Sequence, residues 1–187
     1  MKAYKLFASL CIGAAILSSC KKEDPIIPNQ EELITTLTYT LISQDLAADT
    51  VIFSFVDLDG PGGNPPSIVG GTLNSTTAYK GTLQLWNEQD SPAEDITLEV
   101  IAEAEDHQFF FQNTLTFDFN IFYEDADING NPLGVETKLL TGNASSGQLT
   151  ITLRHEPDKF AQGVNLGDIS NAGGETDIEV TFDVDVQ

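Results

Sequence analysis

From residue 33 onward the chain alternates between apolar and polar positions. Leu33, Thr35, Leu37, Tyr39 and Leu41 share one parity, and Ile34, Thr36, Thr38, Thr40 and Ile42 share the other. The same period of two recurs at Val51, Phe53 and Phe55, at Tyr79, Gly81, Leu83 and Leu85, and at Leu115, Phe117, Phe119, Ile121 and Tyr123. It returns at Leu149, Ile151 and Leu153, and at Ile178, Val180, Phe182, Val184 and Val186. A period of two with one apolar parity is the pattern of a strand burying one face. The β-branched and aromatic content suits a pleated surface. Gln108 to Gln112, with three consecutive phenylalanines, reads as a further strand. About seven or eight such strands separated by turn residues predict an all-β fold, a single antiparallel β-sandwich of immunoglobulin-like size. A closed barrel is the alternative. One segment is ambiguous. Ser91-Pro92-Ala93-Glu94 has the form of a capping box, and Ile96, Val100 and Ala104 follow at helical spacing, which predicts a short helix near 92–105. Ile96, Leu98 and Val100 also alternate as a strand would.

Composition narrows the function. The chain has 187 residues, with 8 Lys+Arg against 29 Asp+Glu, a net charge of −21. Such a polyanion repels phosphate backbones, which excludes nucleic acid as a partner. The apolar content is sufficient for one folded domain. The N-terminus carries an address. Lys2 and Lys5 precede an apolar run from Leu6 to Leu17, too short to span a bilayer and proportioned like a signal peptide. Leu17-Ser18-Ser19-Cys20 resembles the bacterial lipobox, which implies cleavage after residue 19 and a diacylglycerol and acyl lipid on Cys20. Lys21-Lys22-Glu23-Asp24 resembles the surface-export signal of Bacteroidota lipoproteins. The expected organisation is a signal peptide at 1–19, a lipidated cysteine and tether at 20–32, and a β-sandwich at 33–187. The expected location is the outer membrane, lipid-anchored, at the cell surface, with the periplasmic leaflet of that membrane as the alternative. Cys11 leaves with the signal and Cys20 carries lipid, so no thiol remains for disulfides, catalysis or metal binding.

Several clusters carry candidate chemistry. Asp125-Ala126-Asp127-Ile128-Asn129-Gly130-Asn131-Pro132-Leu133-Gly134-Val135-Glu136 fits the spacing of a calcium loop at every fixed position. Calcium takes six to eight hard oxygens, and a glutamate at the twelfth position supplies two. The candidate calcium ligands are Asp125, Asp127, Asn129, Asn131 and Glu136. The strand before them and Pro132 within them depart from an EF-hand, and a solvated hairpin loop is the competing reading. A second acidic turn, Asp57-Leu58-Asp59-Gly60, follows the strand at Val51–Phe55 and adds Asp57 and Asp59 to the set. The two histidines, His107 and His155, each have acidic neighbours. Should their strands pair, His107, His155 and Glu156 form a candidate transition-metal site, against the plainer reading of two structural histidines. The long stretch 158–175 is rich in Gly, Asn and Asp and offers Asp168, Asn171 and Glu175 as further oxygen donors. No nucleophile elbow, phosphate loop or dinucleotide fingerprint is present, so the chain is not expected to be an enzyme.

The mature sequence resembles a group of small acidic envelope lipoproteins of Bacteroidota, some of which carry the label of a type 1 periplasmic binding fold. The likeness rests on Phe-Val-Asp-Leu-Asp-Gly at 55–60, Glu-Asp-His-Gln-Phe-Phe at 105–110 and Asp-Ile-Asn-Gly-Asn-Pro-Leu-Gly at 127–134. Leu-Arg-His-Glu-Pro at 153–157 and Gly-Gly-Glu-Thr-Asp-Ile-Glu-Val-Thr-Phe at 173–182 complete it. It implies an envelope location and a compact β-domain. The label implies a larger α/β architecture, which the strand-rich pattern does not support. Expected function is therefore a non-enzymatic binding or accessory module held to the membrane by its lipid and stabilised by Ca2+, with an outer-membrane transporter as partner. The alternative is transition-metal capture through His107 and His155.

Overall fold

The structure, a computed structural model, describes residues 33–44, 49–60, 62–114 and 118–187. The signal segment, Cys20 and the tether lie outside the described residues. The alternating segments become β1 (Thr36–Ser43), β2 (Thr50–Val56), β3 (Ser67–Val69), β4 (Gly71–Leu73), β5 (Ala78–Asn87) and β6 (Glu94–Asp95). They continue as β7 (His107–Asn113), β8 (Phe119–Tyr123), β9 (Glu136–Thr141), β10 (Ser145–His155) and β11 (Glu175–Val186). One helix, α1 (Ile96–Ala102), and two 3-10 turns at Val164–Leu166 and Ile169–Asn171 complete the described elements.

Two sheets form. One runs β3-β2-β1-β5-β9-β8 with β6 attached to β5, and the other runs β4-β11-β10-β7. The pairings are antiparallel except that of β4 with β11. Their apolar parities meet in one core containing Leu37, Tyr39, Phe53, Leu83, Phe109, Ile151, Val180 and Phe182. Phe53 packs on Phe182 with ring centroids 5.6 Å apart, and Tyr39 on Phe111 at 5.8 Å, so aromatic contacts bridge the sheets. The all-β sandwich expected from the alternation is the fold observed.

The short helix is present, but its cap is not the expected one. Asp95 is the N-cap and accepts a hydrogen bond from the Thr97 N–H, while Glu94 and Asp95 pair with Asn87 and Trp86 as β6. Ser91 and Pro92 precede the helix across a cis peptide bond. Ile96 and Val100 are buried at the predicted spacing of four. Thr97 explains why a helix ends up here. Its hydroxyl accepts from the Leu85 N–H and donates to the Leu85 C=O, so one side chain completes β5 where a neighbouring strand is missing.

Candidate metal centre

β7 and β10 pair, and their register sets His107 directly opposite His155. Both histidines take the inward parity of their strands, with Phe109 and Phe111 on one and Leu153 and Ile151 on the other. The imidazoles stack at 4.7 Å between centroids, 24° from parallel. Both are buried: His107 is 0% exposed and His155 6%.

The third member comes from β11. Its register against β10 slips: Leu153 faces Ile178, but Arg154 faces Thr176, so Asp177 is the extra residue of a β-bulge. A bulge turns two successive side chains toward one face. Asp177 therefore joins Ile178 on the core side, and its side chain is fully buried. Its Oδ2 lies 3.8 Å from His107 Nε2 and its Oδ1 3.8 Å from His155 Nδ1. One ligand atom from each of the three residues falls within 4.8 Å of the others.

Donor chemistry orients this group. His107 Nδ1 lies 3.1 Å from the Glu103 carbonyl. A carbonyl only accepts, so Nδ1 carries a proton and Nε2 is the nitrogen that faces Asp177. A backbone carbonyl holding the far nitrogen of a histidine is the usual outer support of a metal-bound imidazole. Two imidazole nitrogens and a carboxylate suit zinc, copper, nickel or iron(II) better than calcium. The arrangement is close to a coordination shell without being one. A tetrahedral ion with bonds near 2.1 Å would need its ligands about 3.4 Å apart, closer than the two 3.8 Å contacts and than the 4.8 Å within which the three donor atoms lie. With the imidazoles stacked, one ring would have to rotate before both nitrogens could face a single ion.

Glu156, expected as the third ligand, is a correction. It is exposed, with φ of 49°, and the group among the described residues whose donor atoms converge is His107, His155 and Asp177. Residue neighbourhood in sequence does not carry a side chain past a strand end into the core. Asp177 was missed because simple alternation with Ile178, Val180 and Phe182 assigns it to the solvent face. The Gly173-Gly174 pair just upstream, with φ of 60° and 69°, is the one local hint of irregular pairing.

The acidic loop at 125–136 is ordered by a different cation. Asp125 accepts hydrogen bonds from the Gly134 and Glu136 backbone N–H groups at 2.7 and 2.9 Å. Asp127 Oδ1 accepts from the Asn129 and Asn131 N–H groups, both at 2.9 Å. The Lys159 ammonium approaches Asp127 Oδ2 at 3.2 Å and also donates to the Pro132 and Ala104 carbonyls. The Lys159 and Asp127 side chains are 3% and 1% exposed. Burial would raise the Asp127 carboxyl, but the Asn131 N–H, then Lys159, outweigh it and hold the acid below its ordinary range. Burial lowers Lys159, and Asp127 only partly offsets this. The remaining candidates point elsewhere. The Glu136 carboxylate binds Lys80 at 2.7 Å and accepts from Thr82, and Asn129 donates to Glu105.

Asp57 and Asp59 do not meet this loop. β2 and β8 run in the same direction but are separated by β1, β5 and β9. Four inter-strand steps place them roughly 19 Å apart, too far to share an ion. Asp59 instead accepts from Asn64 N and Nδ2, which lowers its pKa. The predicted calcium ligands Asp57, Asp59, Asp125, Asp127, Asn129, Asn131 and Glu136 are thus dispersed among local turns and two lysines. The stretch 158–175 is likewise tied down: Asp168 caps the second 3-10 turn through Ser170 N–H, and Asn171 donates to the Gln162 carbonyl. Comparison with protein-family models, with curated proteins and with solved structures finds no match.

Proposed function

We propose that this chain is a lipid-anchored, non-enzymatic envelope protein whose β-sandwich holds a divalent transition ion at His107, His155 and Asp177. The observation that carries the reading is the β-bulge that turns Asp177 inward onto a cross-strand histidine pair. An acid at that position has no role in packing the core, and a regular strand would have left it in solvent. The lipobox at 17–20 supports membrane attachment through Cys20, and Lys21-Lys22-Glu23-Asp24 supports display at the cell surface. Burial of all three donors favours retention of the ion over rapid exchange, so we read it as a resident ion rather than cargo passed to a transporter. Calcium is not part of this reading, because a lysine already neutralises the loop that would bind it.

Equilibrium dialysis of the full chain in detergent against zinc(II) or copper(II) tests this. The expected result is one ion per chain, lost in Asp177→Asn and in His155→Gln and kept in Glu156→Gln. A wild type that binds neither ion, or an Asp177→Asn chain that binds as wild type does, overturns it. In that event the three side chains form a buried proton-sharing network only.

A further inference from the structure

A second feature lies apart from the histidines. Among the described residues, β8 is the last strand of its sheet and pairs only with β9. Its sequence, Phe-Asn-Ile-Phe-Tyr, is uncharged, aromatic and free of proline. The edge strands β3 and β4 are three residues each, which limits what can pair with them, and at the remaining edge strand, β7, the Phe109 N–H already donates to the Leu133 carbonyl. An edge strand of such strongly β-forming residues is a template for another chain along its Ile121–Tyr123 half.

The direction of its backbone groups follows from two hydrogen bonds. Glu124 N–H donates to the Glu136 carbonyl on the β9 side. Asn113 Nδ2 donates to the Phe119 carbonyl from the opposite side. Alternation then points the N–H and C=O of Ile121 and Tyr123 away from β9. A groove of about 540 Å³ lies there, lined by Ile121, Phe122, Tyr123, Glu124, Pro132 and Leu166 among others. Its far wall is the 3-10 turn Val164–Leu166. Gly163 and Gly167, both at φ of 89°, bracket the 3-10 turn that carries Leu166. Buried Gln108 Nε2 donates to the Val164 carbonyl and pins that turn. Leu166 is nonetheless 84% exposed, a leucine held firmly in water beside an apolar floor. Burial pushes the Tyr123 phenol up to about 12, and its hydroxyl donates to the Phe109 carbonyl, so the floor is also fixed.

We infer that the β8 edge and the Leu166 groove form a docking site for an extended, basic segment of another envelope protein, which adds to the sheet as a further strand. Backbone pairing to Ile121 and Tyr123 would supply affinity, and apolar side chains at alternate positions would fill the groove. Charge chooses the partner. The groove is lined by Glu124 and Asp125 with no basic residue, on a chain of net charge −21. A second copy would bring the same charge and the same acidic wall, so a cationic segment fits and self-pairing does not.

The probe is a synthetic heptapeptide alternating lysine with valine and phenylalanine, titrated at physiological salt against the full chain in detergent. A control peptide carries N-methyl groups on the backbone nitrogens that would face β8, with charge and side chains unchanged. Saturable binding is expected, weakened about tenfold or more by the N-methyl groups and by Leu166→Asp. Leu166 is solvent-exposed, so that variant keeps the fold, which the melting curve verifies. Absence of binding overturns the inference. Equal binding of the N-methylated peptide, or of Leu166→Asp, also overturns it and leaves mere polycation attraction. Self-association of the chain through β8, seen by sedimentation, overturns it in favour of a homodimer.

Discussion

At the scale of single residues, lysine and aspartate decide how the acidic loop is read. The spacing at 125–136 matches a calcium loop, and that match was legible in sequence. The identity of the cation was not, because Lys159 lies 32 residues beyond Asp127 in the chain. Two consequences can be measured. Removing one partner of a buried pair strands the other, so Asp127→Ala should cost about 3 kcal/mol in urea unfolding. Lys159→Met should cost less, because Asp127 keeps its two backbone donors. The pH dependence has a definite sign. The folded Asp127 carboxyl is held below its ordinary value of 3.8, so its contribution is complete above that value. It is lost as pH falls through the folded value. Acid unfolding below about pH 4 should therefore be shallower in Asp127→Ala than in wild type. An unchanged acid limb would contradict the pairing.

At the scale of elements, period-two alternation located β1, β2, β5, β8, β10 and β11 because one face of each is buried. It also showed that His107 and His155 would meet once β7 and β10 paired. The same rule misplaced Asp177, since a bulge breaks the rule at one residue and no apolar pattern marks the break. The cap of α1 was misread for a related reason: Glu94 and Asp95 pair with β5 as β6, so the helix starts only after them, with Asp95 itself as its N-cap. The turn before β11 depends on Gly174, at φ of 69°, where a Cβ would lie 2.2 Å from the His155 carbonyl oxygen. Gly174→Ala should destabilise the fold by about 2 kcal/mol or more. It should also weaken ion binding, because it displaces the strand end carrying His155. Unaltered stability in that variant would show that the turn is less constrained than drawn.

At the scale of the molecule, the sandwich carries a large uniform charge on a core joined across the sheets by Phe53, Phe182, Tyr39 and Phe111. Self-repulsion should make the melting temperature rise as salt increases from about 0.01 to 1 M, since the screening length falls from roughly 30 to 3 Å. Phe182→Ala, which empties a fully buried ring site, should cost about 3–5 kcal/mol at any salt.

The central claim is that the Asp177 bulge completes a transition-metal site, and thermal melting of the full chain tests it most directly. Zinc(II) at about 100 times its Kd should stabilise the chain by ~2.7 kcal/mol, a rise of roughly 5–10 °C for a domain of this size. Asp177→Asn should abolish that rise, and calcium at the same concentration should give none. A melting temperature indifferent to zinc and copper, or a rise that survives Asp177→Asn, would contradict the account.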